Sequence, residues 1–131
     1  LQTHHTHALV LGTGGASKAV TYVLTQLNIP YVYVSREAGL NKLGYEELTS
    51  DIISTHTLII NTTPLGMFPD LESYPDIPYK VIGEKHLLYD LVYNPLKTQF
   101  LLQGEARGAT IKNGLEMLIN QAEAAYEIWN Q

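Results

Sequence analysis

Short apolar runs alternate with helical stripes along the whole chain. Ala8-Leu9-Val10-Leu11 is four apolar residues long, the length of a strand buried on both faces. A glycine cluster ends it. From Ala16 onward, Ala16, Ala19, Val20, Val23, Leu24 and Leu27 fall at i, i+3, i+4, i+7, i+8 and i+11, one continuous helical stripe. Asn28 and Pro30 stop that helix, and Tyr31-Val32-Tyr33-Val34, β-branched and aromatic, reads as a second strand. A minor strand near Leu43 to Tyr45 precedes a short helix over Glu46 to Ile53, and Thr57-Leu58-Ile59-Ile60 is the next buried strand. Residues 64 to 86 contain Pro64, Pro69, Pro75 and Pro78 without a clear period, an irregular stretch of a length that is more often functional than idle. Leu87 to Val92 reads as a strand, Leu96 to Gln103 as a helix entered through Asn94-Pro95, and Ala109-Thr110-Ile111 as a last strand. Asn113, three residues before Glu116, is placed to cap a final helix running through Trp129. Strands separated by helices imply parallel pairing through right-handed crossovers. The predicted fold is α/β: one doubly wound, mostly parallel sheet of five or six strands with helices on both faces, a single domain over residues 1–131.

Composition narrows the partners. With 45% hydrophobic and 16% charged residues among 131, the chain can bury a core of its own, and no apolar run approaches the roughly 20 residues that span a bilayer. Thirteen acidic against eight basic side chains leave a net charge of -5, and the basic ones form no stripe, so neither nucleic acid nor membrane is expected as a partner. Without cysteine there is no disulfide framework, thiolate metal site or cysteine nucleophile, and cytoplasm is the default location. The chain opens at Leu1 without an initiator Met or a leader, which reads as a piece of a longer protein. His4, His5 and His7 lack a clear third ligand or a nearby carboxylate, so no metal is expected there.

The candidate chemistry begins where the first strand meets the first helix. In Gly12-Thr13-Gly14-Gly15-Ala16-Ser17, Gly12 permits a tight turn, Gly14 lets a pyrophosphate approach the backbone, and Gly15 adds clearance. The free N–H groups and helix dipole there, up to Ala16, favour negative charge. Ser17 stands where the dinucleotide fingerprint has its third glycine or alanine. An NAD site has an acidic residue at the end of the second strand, but this strand ends Val34-Ser35-Arg36. Ser35 can bond a phosphate oxygen and Arg36 can fork onto a 2′-phosphate, which favours NADP; Glu37 opposes it.

Four segments together carry a resemblance: Gly12 to Ala19 (GTGGASKA), Asn61 to Met67 (NTTPLGM), Asp90 to Leu96 (DLVYNPL) and Asn113 to Gln121 (NGLEMLINQ). In order and spacing across nearly all 131 residues they resemble the C-terminal, NADP-binding Rossmann domain of the shikimate dehydrogenase family. The resemblance implies reversible NADPH-dependent reduction of 3-dehydroshikimate to shikimate, on the route to chorismate and the aromatic amino acids. It places Asn61 and Thr62 against the cofactor, Gly114 and Met117 against the nicotinamide, and Tyr93 and Gln121 on substrate. Asp90, embedded among apolar residues, reads equally as a structural carboxylate bonded to backbone amides. The family's catalytic lysine and aspartate lie in an N-terminal substrate domain, and none of Lys18, Lys42, Lys80, Lys85, Lys97 or Lys112 stands in their motif, so no residue here is assigned a catalytic role. The fragment is expected to bind NADP, to share the substrate pocket with that other domain, and to turn over little alone. Ile119, Tyr126, Ile128 and Trp129 offer an apolar surface for association, a homodimer included. The alternatives are a quinate/shikimate relative using NAD and a non-catalytic NADP-sensing module.

Overall fold

The computed structural model describes residues 7–36, 39, 42–65, 71–91 and 97–114. Six strands form one sheet in the order β3-β2-β1-β4-β5-β6, every neighbouring pair parallel. They are β1 (Ala8–Leu11), β2 (Tyr31–Ser35), β3 (Lys42–Gly44), β4 (Leu58–Asn61), β5 (Leu87–Asp90) and β6 (Thr110–Asn113), with helices α1 (Gly15–Gln26), α2 (Ser50–Thr55) and α3 (Gln99–Ala106) among the described residues. The central strands β1, β4 and β5 are buried at every position, as continuous apolar runs require when both faces are covered. From β1 in the middle of the sheet the chain runs outward through β2 to β3, then crosses back to β4. That reversal puts the topological switch point between the carboxyl ends of β1 and β4, where ligands bind in open α/β sheets.

Side chains alternate between two cores. On one face Val10, Ile60 and Tyr89 pack with Val20 and Leu24 of α1 and its C-cap Leu27; on the other Leu11, Ile59 and Leu88 pack with Ile53 of α2 and Phe100 and Leu101 of α3. The described residues of the proline-rich segment, 71–86, serve the second core: Ile77 and Ile82 are buried in it, and the segment's regular element is a 3-10 turn, Tyr79–Val81. His86 ties that segment down. Its Nδ1 accepts from the Gly83 N–H at 3.1 Å, which leaves Nε2 to donate to the Ile53 carbonyl at 2.8 Å.

Several boundaries differ from the sequence expectation, each for a local reason. The buried face of α1 is Ser17, Val20, Thr21 and Leu24, while Ala16 and Ala19 are exposed. Alanine methyls gain little from burial, and the two hydroxyls are satisfied without water. Ser17 Oγ donates to the Gly14 carbonyl at 2.6 Å, and Thr21 Oγ1 donates to the Lys18 carbonyl at 3.2 Å and lies 3.3 Å from the Tyr33 phenol. The helix ends in a Schellman motif with Asn28 at φ 58°: the Ile29 N–H reaches the Leu24 carbonyl and the Asn28 N–H the Thr25 carbonyl. The helix expected over Glu46 to Ile53 divides into a 3-10 turn, Tyr45–Glu47, and α2, because Thr49 caps the latter by accepting from the Ile52 N–H. Helix α3 starts three residues later than expected, at the Thr98 cap. Asn113 closes β6, and Gly114 follows at φ +84°. The rest of the expected final helix, Met117 and Gln121 included, lies outside the described residues, as do His4, His5, Glu37, Tyr93, Asn94 and Pro95.

Candidate functional site

The carboxyl edge of the sheet is built from the ends of β1, β2, β4, β5 and β6. At the end of β1, Gly12 turns the chain at φ +102°. Only glycine fits there: a Cβ would stand 2.7 Å from Thr62 Oγ1, and the backbone conformation is one that L side chains rarely adopt. The close crossing is held from both sides. Gly12 donates its N–H to the Val34 carbonyl at 2.8 Å, while the N–H and hydroxyl of Thr62 both donate to the Leu11 carbonyl, at 2.9 and 2.6 Å. Beyond this crossing the loop opens. A Cβ on Gly14 or Gly15 would meet no atom within 4 Å, and α1 starts there with no side-chain cap and no acidic residue in its first turn. Its leading N–H groups and the positive end of its dipole therefore face open space.

The next strand end supplies the positive charge. Arg36 is exposed at the end of β2, and no described carboxylate forms an ion pair with it; the ion pair among the described residues is Lys97–Glu105, 3.1 Å apart on the surface. Ser35, the last residue of β2, pairs in register with Gly44 of β3. Burial raises the phenol pKa of Tyr45, and the Arg36 guanidinium works in the opposite sense.

The ends of β4 and β5 are closed instead of open. Asn61 and Asp90 pair in register and are both fully buried. Asp90 Oδ2 accepts from Asn61 Nδ2 at 3.2 Å and from Thr98 Oγ1 at 2.6 Å. Asn61 Oδ1 accepts from the N–H and hydroxyl of Thr63, at 3.0 and 2.6 Å, and Thr63 Oγ1 accepts from the Leu65 N–H at 3.3 Å. These are the Asx and Ser/Thr turns that hold a loop ahead of Pro64. The Asn61 amide and the Thr98 hydroxyl thus both bond Asp90, in keeping with a structural role for this buried carboxylate. Among the described residues no buried side-chain nitrogen or oxygen lacks a partner. Asn61, expected to offer its amide to a ligand, spends both ends of it inside the protein, and the Thr62 hydroxyl is likewise committed to Leu11. Gly114 completes the edge: its N–H donates to the Asp90 carbonyl at 2.8 Å, and a Cβ on it would meet nothing within 4 Å.

Gly12, Gly14, Gly15, Ala16, Ser35, Arg36, Asn61, Thr62 and Gly114 thus all lie along one edge, whereas Met117, Tyr93 and Gln121 fall outside the described residues. The turn through Thr63 ahead of Pro64 is one that the Asn-Thr-Thr-Pro run itself suggests, whereas Thr98 was missed in the sequence. Thr98 stands ahead of a helical stretch, a capping signal, but its bond to Asp90 crosses elements and leaves no local trace.

Comparison with known proteins bears on this edge. No family model matches the chain. The shikimate dehydrogenase (NADP(+)) of Methanosphaera stadtmanae is 38% identical over 92% of this chain and 49% of its own length. That of Caldicellulosiruptor bescii is 40% identical over 92% of this chain and 46% of its own. The chain is related to the shikimate dehydrogenases. It spans about half the length of the curated relatives it matches. Among solved structures, shikimate 5-dehydrogenase of Thermus thermophilus in complex with NADP(H) and shikimate superposes with a TM-score of 0.68, with 28% identity over 93% of this chain and 48% of that one. Among the described residues no helix is long and apolar enough to cross a membrane.

Proposed function

We propose that the chain is the NADP(H)-binding domain of a shikimate dehydrogenase that acts in the cytoplasm. The open backbone at Gly14 and Gly15, on the same sheet edge as an Arg36 that no described carboxylate pairs, carries this reading. The N–H groups from Gly14 to Ala16 would hold the pyrophosphate, and Ser35 and Arg36 the 2′-phosphate. Gly114 and Met117 would border the nicotinamide, and Tyr93 and Gln121 the substrate. Asn61 and Thr62 act one step back, fixing the loop that follows β4 against Gly12. When bound, NADPH supplies the hydride for reducing a ketone such as 3-dehydroshikimate. The proton would come from the half of the enzyme that this chain does not span. In this reading the chain's task is binding and orientation, and it has little turnover by itself. The curated relatives named for NADP(+) and the arginine at the end of β2 both favour this over an NAD-dependent quinate/shikimate enzyme.

Calorimetric titration with NADP and NAD tests it. A charged hydrogen bond from Arg36 to the 2′-phosphate is worth roughly 1.5 to 3 kcal/mol, so Arg36→Ala should weaken NADP about ten- to a hundredfold and leave NAD unchanged. Equal, weak binding of both cofactors that ignores the substitution would refute the assignment.

A further inference from the structure

The end of β3 shares the edge with Arg36, and the cofactor reading above gives it no task. Ser35 and Gly44 are the last register pair between β2 and β3, so Arg36 and Tyr45, the residues just beyond, leave the sheet at the same height on strands roughly 5 Å apart. Tyr45 is held there from several sides. Its ring packs, half-buried, against the core that contains Leu11, Val34 and Leu48, and its carbonyl accepts from the Leu48 N–H at 3.2 Å. The two neighbouring carboxylates are turned onto the backbone. Glu47 Oε1 accepts from the Gly44 N–H at 2.8 Å, and the Glu46 carboxylate folds against the α-carbon of Gly44, its oxygens 2.5 and 2.8 Å from where a Cβ would stand. The positive field of Arg36 reaches the phenol.

We propose that Tyr45 is a specificity-determining residue, its phenol O–H serving with the Arg36 guanidinium as a second donor to a phosphate monoester on the adenosine ribose. The proposal rests on the NADP reading and adds to it. A guanidinium on an exposed strand end is a mobile donor that loses rotamer freedom on binding, whereas a phenol fixed by core packing is already in place. A neutral donor beside a cation suits a doubly charged monoester, and it adds nothing for a ribose whose 2′ position carries only a hydroxyl.

The probes are 2′,5′-ADP and 5′-AMP, which isolate this end of the cofactor, each titrated calorimetrically into the chain and into Tyr45→Phe. The phenylalanine ring keeps the packing and removes only the hydroxyl. The expected result is about a tenfold loss of affinity for 2′,5′-ADP and NADP, with 5′-AMP and NAD unchanged. Equal losses for all four ligands would overturn the proposal by showing that the ring merely packs, and so would no loss for any of them. In both cases the wild-type preference for 2′,5′-ADP and its dependence on Arg36 would stand, so the cofactor reading would survive. If wild type binds 2′,5′-ADP no better than 5′-AMP, that reading fails and Tyr45 fails with it. Thermal melting of Tyr45→Phe within a few degrees of wild type keeps an affinity loss from being one of folding.

Discussion

Two stretches of the same sheet edge are built on opposite plans. At the β1–α1 loop, polar backbone groups are exposed to open space: Gly14 and Gly15 have no neighbour where a side chain would be, and the helix start is uncapped. At the ends of β4 and β5, Asn61, Asp90 and Thr98 are buried and, with Thr63 beside them, hydrogen-bond to one another. Both stretches are rich in residues that a motif search would mark as functional. The difference is that the open stretch leaves backbone donors facing free space, while the closed one spends the Asn61 amide and the Thr62 and Thr98 hydroxyls on bonds inside the protein. Thr62 joins them, since its hydroxyl both anchors to Leu11 and sets how close Gly12 must pass.

If the contrast is right, substitutions in the closed stretch act on stability and those in the open one on binding. The largest effect is expected at Asp90. Asp90→Ala strands the buried Asn61 amide and Thr98 hydroxyl, and should lower the unfolding free energy by about 3 kcal/mol in urea denaturation. A loss under about 1 kcal/mol would mean that the cluster is not structural. Gly12→Ala comes next, at about 2 kcal/mol, from the positive φ and the contact with Thr62 together. Adding Thr62→Ala should then cost less than it does alone, because the two share one contact, whereas strict additivity would break that link. Gly14→Ala has the smallest structural effect. Its φ of -77° suits alanine and the space is empty, so stability should stay within about 1 kcal/mol of wild type while NADP affinity falls at least tenfold by calorimetry. A variant that binds NADP normally would show that the glycine loop is not where the pyrophosphate lies.

The sheet was legible in the sequence because a four-residue apolar run can be little other than a buried strand, and Ala8–Leu11 and Leu87–Asp90 sit where such runs predict. The glycine loop was legible as well, since its chemistry is local and contiguous. What escaped depends on partners distant in sequence. The stripe on α1 named Ala16 and Ala19, but the fold buried Ser17 and Thr21, whose hydroxyls find carbonyls one turn away. Asp90 was recognised as a costly buried group, yet two of its partners, Asn61 and Thr98, lie 29 and 8 residues away and could not be read from spacing. Tyr45 looked like one more aromatic residue ending a minor strand, and only the β2–β3 register places it beside Arg36.

The central claim, that this edge accepts a ligand at its open stretch and not at its closed one, is tested most directly by following amide nuclear magnetic resonances as NADP is added. The expected result is that the backbone N–H signals of Gly14, Gly15 and Ala16 move most, while the Asn61 side-chain amide stays with Asp90 and hardly shifts. Large shifts at Asn61 with a silent glycine loop would contradict it.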